Sequence, residues 1–552
     1  MRTSETGSSL ARREGRSSRV LIVLLAALAG LATGAAIVRL ATVALGCDQA
    51  SQLYATLQML HGTPLYGTHL VEGYAPFIFW LLAIPGWISQ HVHLSTIACF
   101  HAFVVAVLIV TSTWSAILYR RTRGGRLLCW WVFVLTLSAL SAFLAVPDAL
   151  GEREHLLAYF LLPYLLSVAL RMEGTHLSGL HRLLIGVCAA VALCLVPQYL
   201  LVVIAVEVVV LLRKRQLSQW FDLSLLVMLV GVLFYAAIVR LLTPEYFKAV
   251  LPLLRETSWG LDRSILSVFA PAKKTLVLLV AGSVFYNIRQ KRMANEAFVA
   301  VLLMASFASL LIFLGEHKGW VYQMMPFRTF SYLALTLFFA DTVSDLLERR
   351  QEETESGSEA APYPDSPTSL IKLSAAVAGV VLLLSLVFFA RRNAHLPSEV
   401  STVDTLRGVY APYPAGTTVG FLSTDAWEFP AVLEQNKLWG SRYTALWTLP
   451  AIVRSADPQD TRPEQHLTPA RSTQLAQQLR VTVAADLATF KPTVITVDPC
   501  GRINLCPALT REGYTSILDW FKADAAFQAE WSHYQLVRTE TDSTIEVYER
   551  RS

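Results

Sequence analysis

Three stretches of this 552-residue sequence gather side chains that can do chemistry, and each lies between long apolar runs. The first is CDQASQLYATLQMLHGTPLYGTHLVEGYAPFIFW (47 to 80), where Asp48 stands directly after an apolar run and Tyr66, Glu72 and Pro76 follow. A carboxylate so placed can take a proton from a hydroxyl or ligate a metal. It can equally cap a helix beginning at Gln49, because Asp is favoured at helix N-termini. The second stretch, VPDALGEREHLL (146 to 157), crowds Asp148, Glu152, Arg153, Glu154 and His155 into one short loop. Arg153 and His155 suit a phosphate, and Asp148 or Glu152 can hold a metal or orient a nucleophile; the plainer reading is a set of solvated anchors. The third, GEHKGWVYQMMP (315 to 326), sets Lys318 beside Trp320 and Tyr322. That pairs a phosphate-seeking cation with rings that can stack on a sugar or simply form an interfacial belt.

The elements that must position these groups are membrane helices. Hydrophobic residues make up 54% of the chain and charged ones 16%, with a mean hydropathy of +0.47; soluble proteins carry about 25% charge. A formal charge of +5 is too mild in so long a chain to argue for nucleic acid. A bilayer core takes about 20 apolar residues per helix. Runs near 19–45, 94–119, 127–146, 156–170, 183–196, 197–212, 222–242, 273–288, 297–314, 323–346 and 371–390 therefore predict about eleven transmembrane helices. The connections RRTRGGR (120–126), RMEGTHLSGLHR (171–182), RKRQ (213–216), RQKR (289–292) and ERRQEETESGSE (348–359) are all assigned to the cytoplasm by the positive-inside rule. That topology requires the apolar stretch 77–92 to lie on or dip into the outer face without crossing.

Residues 1–18 then form a cytoplasmic basic tail, 19–346 the transmembrane domain, 347–370 a cytoplasmic linker and 371–390 the last transmembrane helix. An odd number of spans from a cytoplasmic N-terminus puts 391–552 outside an inner, multi-pass membrane. Pro, Thr, Asp and Gln become frequent there, and β-like stretches at 416–423, 492–498 and 543–550 alternate with helix-like ones at 471–480 and 517–534. This predicts a soluble extracytoplasmic α/β domain. Cys500 and Cys506 are its only cysteines, and an outside location allows them to form a short-loop disulfide. Asp425, Trp427, Trp439, Arg442, Tyr443 and Trp447 read first as core and rim, and second as an acceptor surface.

The outer loops mix acids, cations and aromatics, and the segment 243–264 adds Tyr246, Lys248, Arg255 and Trp259 in what reads as surface-lying helices. The spans hold few charges, Glu207 and Arg240 being the main ones. A proton-coupled transporter would concentrate ionisable groups near mid-membrane. Chemistry at the outer interface is the better expectation.

The loop pattern resembles the membrane glycosyltransferases of the C-type fold, which include bacterial aminoarabinose transferases, protein O-mannosyltransferases and arabinosyltransferases. The resemblance spans roughly 19–346 and rests on Asp48, Tyr54, Gly62, Leu65-Tyr66, Glu72 and Pro76, together with the GEREHLL and KGWVYQMMP stretches. It implies an inverting transfer of a sugar from a polyprenyl-phosphate donor in the lipid bilayer to a glycan, lipid or protein acceptor. Asp48 and Asp148 would be catalytic, Arg153, His155 and Lys318 would bind donor phosphate, and Tyr66, Glu72, Trp320 and Tyr322 would bind substrate. A divalent metal, Mg or Mn, held by Asp148 and Glu152 is one further option. The chain departs from the pattern where a mid-membrane Lys-Pro is expected: it has Val196-Pro197, followed by Gln198-Tyr199. A transporter or flippase of a lipid-linked sugar is the rival expectation, since it needs the same aromatics and cations but no base.

Overall fold

A backbone amide in an apolar surround must find its partner within its own segment or a closed barrel, and the apolar runs of this chain meet that demand as helices. The computed structural model describes residues 4–141, 151–215, 222–355, 397–460, 465–501, 503–540 and 544–551. Asp148 and the expected span 371–390 lie outside the described residues. The helices that matter below are α1 (Ser4–Thr42), α2 (Cys47–Leu60), α3 (Phe77–Val92), α4 (Thr96–Tyr119), α5 (Leu127–Ala139), α6 (Arg153–Glu173), α7 (Gly179–Leu195), α8 (Leu200–Lys214), α9 (Leu223–Leu242), α10 (Leu251–Thr257), α11 (Ile265–Arg289), α12 (Glu296–Gly315) and α13 (Met325–Glu355). Among the described residues, six helices are long and apolar enough to cross a membrane: Ile22–Thr42, Thr96–Tyr119, Arg153–Glu173, Leu223–Leu242, Ile265–Arg292 and Glu296–Gly315. Phe77–Val92, Leu127–Ala139 and Gly179–Leu195 are apolar but shorter.

Contacts sort the chain into two compact units. The first comprises Met1–Val43, His101–Phe234 and Ile265–His395. Its centre is α6, whose residues from Glu154 to Leu170 are buried almost throughout, while α1, α9 and α11 leave Leu31, Leu233 and Leu266 exposed. Large apolar side chains turned outward in this number are the mark of helices that meet lipid. Glu207, the acid in the middle of α8, is buried against the Arg171 guanidinium and accepts a hydrogen bond from the Tyr164 hydroxyl. That pairing gives the mid-span charge a structural occupation.

The second unit comprises Ala44–Phe100, Tyr235–Ser264 and Leu396–Ser552. Its five-stranded sheet has the order β2-β1-β3-β5-β4, from β1 (Thr418–Leu422), β2 (Leu438–Trp439), β3 (Val494–Val497), β4 (Tyr534–Thr539) and β5 (Glu546–Arg550). β1 runs parallel to β2 and β3, while β5 is antiparallel to both β3 and β4. The three expected β stretches are β1, β3 and β5. The expected helix at 517–534 is instead two short helices, Ile517–Lys522 and Ala525–Trp531, followed by β4. Asp524 makes the break, its carboxylate accepting from the Ala526 and Phe527 amides and so starting a new helix. Leu475, Leu479, Val483 and Leu487, one turn apart on the helix Pro469–Phe490, bury an apolar stripe in the core beside Val497 and Trp520. Cys500 and Cys506 form the expected disulfide.

The compact grouping cuts across the linear division at 391, because 44–100 and 235–264 pack with the C-terminal domain. The Tyr54 hydroxyl of α2 accepts from the Trp439 amide at 2.9 Å, and its ring meets Phe429 at 5.4 Å. Past α10, the turn Ser258–Leu261 is held by Arg454, which donates to the carbonyls of Gly260 (3.0 Å) and Asp262 (3.3 Å). A Cβ on Gly260 would stand 2.3 Å from the Ala451 nitrogen. Gly260→Ala should therefore cost about 1–3 kcal/mol of stability and lower the thermal unfolding midpoint. Gly408→Ala, where nothing lies within 4 Å of the new Cβ, serves as the control and should not. Equal midpoints for the two variants would show that the turn does not seat tightly on the helix Leu449–Ala456.

Candidate active site

In the second unit the site grows from the start of α2. The helix begins at Cys47 with Gly46 as its N-cap residue, and the Gly46 amide donates to Gln49 Oε1 at 2.6 Å. Asp48 is thus inside the first turn and is not the capping side chain. Its carboxylate is half-buried, at the helix end where the backbone dipole favours negative charge. Ser51 donates back to the Asp48 carbonyl at 2.9 Å, which stiffens the turn that carries the carboxylate.

The loop after α2 returns through Tyr66, a non-glycine residue with φ of 62°. This conformation costs energy for a bulky side chain, and the fold holds it by two contacts. The Tyr66 hydroxyl donates to the Tyr74 carbonyl at 2.5 Å, and its ring lies 5.4 Å from that of Tyr246. Next the chain docks as a strand. The Val71 amide donates to the Arg442 carbonyl at 2.7 Å, and Val71 forms a parallel bridge with Tyr443. Arg442 is itself pinned to Asp486 at 2.7 Å, and Trp439 Nε1 donates to the Tyr443 carbonyl at 2.8 Å. These residues therefore position the segment, in line with the core-and-rim reading.

The docking puts Glu72, only 1% exposed, against the Thr444 hydroxyl. Burial pushes its carboxyl up to about 8; the Thr444 hydrogen bond opposes the shift and the Asp48 charge adds to it. Glu72 is therefore protonated at neutral pH and can donate a hydrogen bond. Its Oε1 has no hydrogen-bond partner among the described residues, and neither has the nearby Trp447 Nε1. Gly73 joins the two groups locally, since a Cβ there would lie 3.8 Å from the Trp447 ring. Buried polar atoms without partners are uncommon in folded proteins, which marks Glu72 and Trp447 as candidates for a functional role.

The first unit carries a separate charged cluster. Gly151, with φ of 85°, turns the chain into α6 and donates its amide to His155 Nδ1 at 3.0 Å. An Nδ1 that accepts leaves the ring neutral with its proton on Nε2. His155, fully buried with Nε2 unpartnered among the described residues, can thus offer a neutral hydrogen-bond donor. Arg153 lies 3.8 Å from Glu154. Glu316, at the end of α12, is pushed up to about 7 by burial and by Glu154, while Arg153 and Lys318 draw it down. Arg153, Lys318, Glu154 and Glu316 consequently share one electrostatic neighbourhood. Lys318 is presented by a turn in which His317 and Gly319 both have positive φ, and a Cβ on Gly319 would come within 3.3 Å of the Val268 backbone. Trp320 and Tyr322 sit beyond it as a tilted pair with ring centres 5.7 Å apart.

The sequence departure after α7 falls into this neighbourhood. The turn Pro197–Tyr199 buries Tyr199, whose hydroxyl donates to the Gln323 carbonyl at 3.5 Å and feels the charges of Glu154 and Glu316. Gln323 in turn donates to Glu316. Glu316, Gln323, Tyr199 and Thr444 were not singled out by residue type for this role. The signal available for Glu316 was its place beside Lys318 at the end of an apolar run. Glu152 is buried before α6. Among the described residues no three His, Cys, Asp or Glu side chains gather as a metal site would require.

No family model and no curated protein sequence matches the chain. Among solved structures it is similar to the crystal structure of ArnT from Cupriavidus metallidurans bound to undecaprenyl phosphate, with 14% identity and a TM-score of 0.48 over 96% of this chain and 97% of that one. It is also similar to ArnT from Cupriavidus metallidurans in the apo state, with 13% identity and a TM-score of 0.44 over 96% and 98% of the two chains. The functional reading rests on this chain's own residues.

The raised Glu72 carboxyl has a consequence for stability. In the unfolded chain it ionises near its ordinary value of 4.5, and in the folded protein only near 8. Between those values the folded state holds the extra proton, so stability falls as pH rises, by at most about 1.4 kcal/mol per pH unit. Glu72→Gln, which keeps shape and hydrogen bonding but cannot ionise, should flatten that decline and be the more stable form at pH 8. Parallel unfolding curves for the two proteins from pH 5 to 8 would show that Glu72 is not held neutral.

Proposed function

We propose that the protein is a membrane glycosyltransferase that moves a sugar from a polyprenyl-phosphate donor to an acceptor hydroxyl outside the inner membrane. The observation that carries this reading is the pair of carboxyl groups on the first outer loop. Glu72 is buried and kept neutral, and Asp48 is half-buried in the first turn of α2. Two acids in contrasting environments are the usual basis for dividing donor and base roles. A flippase needs no base, and the one acid in the middle of α8 is engaged by Arg171 and Tyr164.

In the proposed step the acceptor oxygen bonds to the anomeric carbon as its proton passes to Asp48. The bond from that carbon to the phosphate oxygen breaks, and the electron pair leaves with the lipid phosphate. A single displacement of this kind inverts the anomeric centre. The charge that develops on phosphate is met by Arg153 and Lys318, with the His155 Nε2 proton as a neutral donor. Glu72, Tyr66, Trp320 and Tyr322 hold hydroxyls and sugar faces. Asp148 remains the second catalytic carboxylate assigned from the sequence, and with Glu152 the pair assigned to a divalent metal. The described residues supply no third ligand, so no step is given to a metal. The C-terminal disulfide and the basic connections support a C-terminal domain outside and an N-terminus inside.

Asp48→Asn should abolish transfer, with a fall of at least about 100-fold, as is typical for loss of a general base, while expression and unfolding temperature stay unchanged. Lys318→Ala should weaken donor use with the fold intact. The assay supplies membrane vesicles with labelled polyprenyl-phosphate sugars and looks for a new glycosidic product. Relocation of unchanged donor without product would assign a flippase instead, and full activity in Asp48→Asn would remove that residue from the chemistry.

A further inference from the structure

At the ends of α6 and α12 opposite to Arg153 and Glu316, four basic connections of the first unit line one cavity of about 820 Å³, within the range of roughly 300–1,000 Å³ usual for small-molecule sites. They are the loop after α4, the ends of α6 and α8, and the turn Gln290–Arg292. All belong to the connections assigned to the cytoplasm. Six cations face the cavity, namely Arg123, Arg126, Arg213, Lys214, Lys291 and Arg292. Two acids, Glu173 and Glu296, oppose them.

Both acids are already occupied. Glu296 is clamped by Arg213 at 2.6 and 2.8 Å and also accepts from the Tyr286 hydroxyl. Glu173 accepts the Arg123 backbone amide at 2.8 Å. Lys214, Lys291 and Arg292 are left with no ion pair among the described residues, around a floor of Met172, Met293, Ala294 and Ala297.

The walls are also fixed in advance. The Tyr119 hydroxyl donates to Asn295 Oδ1 at 2.7 Å and to the Gly124 carbonyl at 3.1 Å, and the Asn295 amide donates to Asp341 at 3.3 Å. Gly124 presses so closely on Asn295 that a Cβ there would fall 1.5 Å from Oδ1. The loop after α4 and the start of α12 are thus tied together by these contacts in the protein itself, which lowers the ordering cost of binding. Uncompensated cations on a rigid, partly apolar floor at helix ends suit a phosphate carried on an apolar body.

We propose that this cavity is a second binding site, for a phosphate-bearing anion, which can be an anionic phospholipid headgroup or a free polyphosphate. It is independent of the sugar-transfer reading and uses none of its residues. The test is native mass spectrometry of the full chain in detergent, titrated separately with tetraoleoyl cardiolipin, inorganic pyrophosphate and, as a neutral control, phosphatidylcholine. Each cation near a membrane surface contributes roughly a fivefold gain in affinity for anionic lipid. Lys214→Gln/Lys291→Gln/Arg292→Gln should therefore weaken the anionic probe about 100-fold, and phosphatidylcholine should be unaffected. Cardiolipin as the probe that responds assigns the lipid source, and pyrophosphate the soluble one. If the triple variant does not fold, the single exposed change Lys291→Glu must lower affinity in the same direction. Wild-type protein that binds neither anionic probe, or variants that bind as tightly as wild type, would overturn the proposal.

Discussion

A charge in an apolar surround is tolerated only when it is paired, neutralised or brought to an end, and this constraint decides where every functional group of the molecule can stand. Glu207 shows the first solution, with Arg171 and Tyr164 around it. Glu72 shows the second, holding its proton because burial penalises its charged form and Asp48 adds to the penalty. The third solution accounts for the rest. Arg153 and Lys318 are carried on the turn that starts α6 and on the turn that ends α12, and the six cations of the second cavity are carried on helix ends and turns. The helices themselves need carry almost no charge, which is why the overall charged fraction falls to 16%.

What the C-terminal domain contributes is best seen at Val71. One backbone hydrogen bond and one bridge join the first outer loop to the segment 442–444, and the next side chain along is Glu72. The domain thereby supplies Thr444 and Trp447 to the surroundings of a carboxyl about 370 residues away in the sequence. Arg442 and Asp486 hold that segment in place from the domain side, Tyr54 and Phe429 from the α2 side. A strained Tyr66 is affordable in such a frame because both ends of its loop are tied.

The helices were legible because a span needs a long apolar run, and α4, α6, α9, α11 and α12 answer to runs visible in the sequence. The strands β1, β3 and β5 were legible by alternation, whereas β2 is two residues long and β4, exposed along most of its length, lacks the apolar run of a buried strand. The break at Asp524 was hidden because an N-cap looks like any other polar residue within a helical pattern. Residue type was enough to nominate Asp48, Glu72, Arg153 and Lys318. It could not say that Glu72 keeps its proton, that His155 accepts on Nδ1 and so is neutral, or that Tyr199 reaches Glu154 and Glu316, because each of these follows from long-range contacts. The association of 44–100 with the C-terminal domain was illegible for the same reason, resting on backbone groups and a hydroxyl that carry no pattern.

The cluster around Glu316 links charge to occupancy. Its two cations and two acids nearly cancel, and Glu316 sits at about 7 under the opposing pulls of burial, Glu154, Arg153 and Lys318. A phosphate arriving at Arg153 and Lys318 adds negative charge beside Glu316 and engages the cations that had been lowering it. Both changes move its protonation upward, so on the proposed reading binding of the donor is accompanied by proton uptake at Glu316. Departure of the lipid phosphate would reverse the shift, so the side chains of the site carry more net positive charge while an anion is bound than after it leaves.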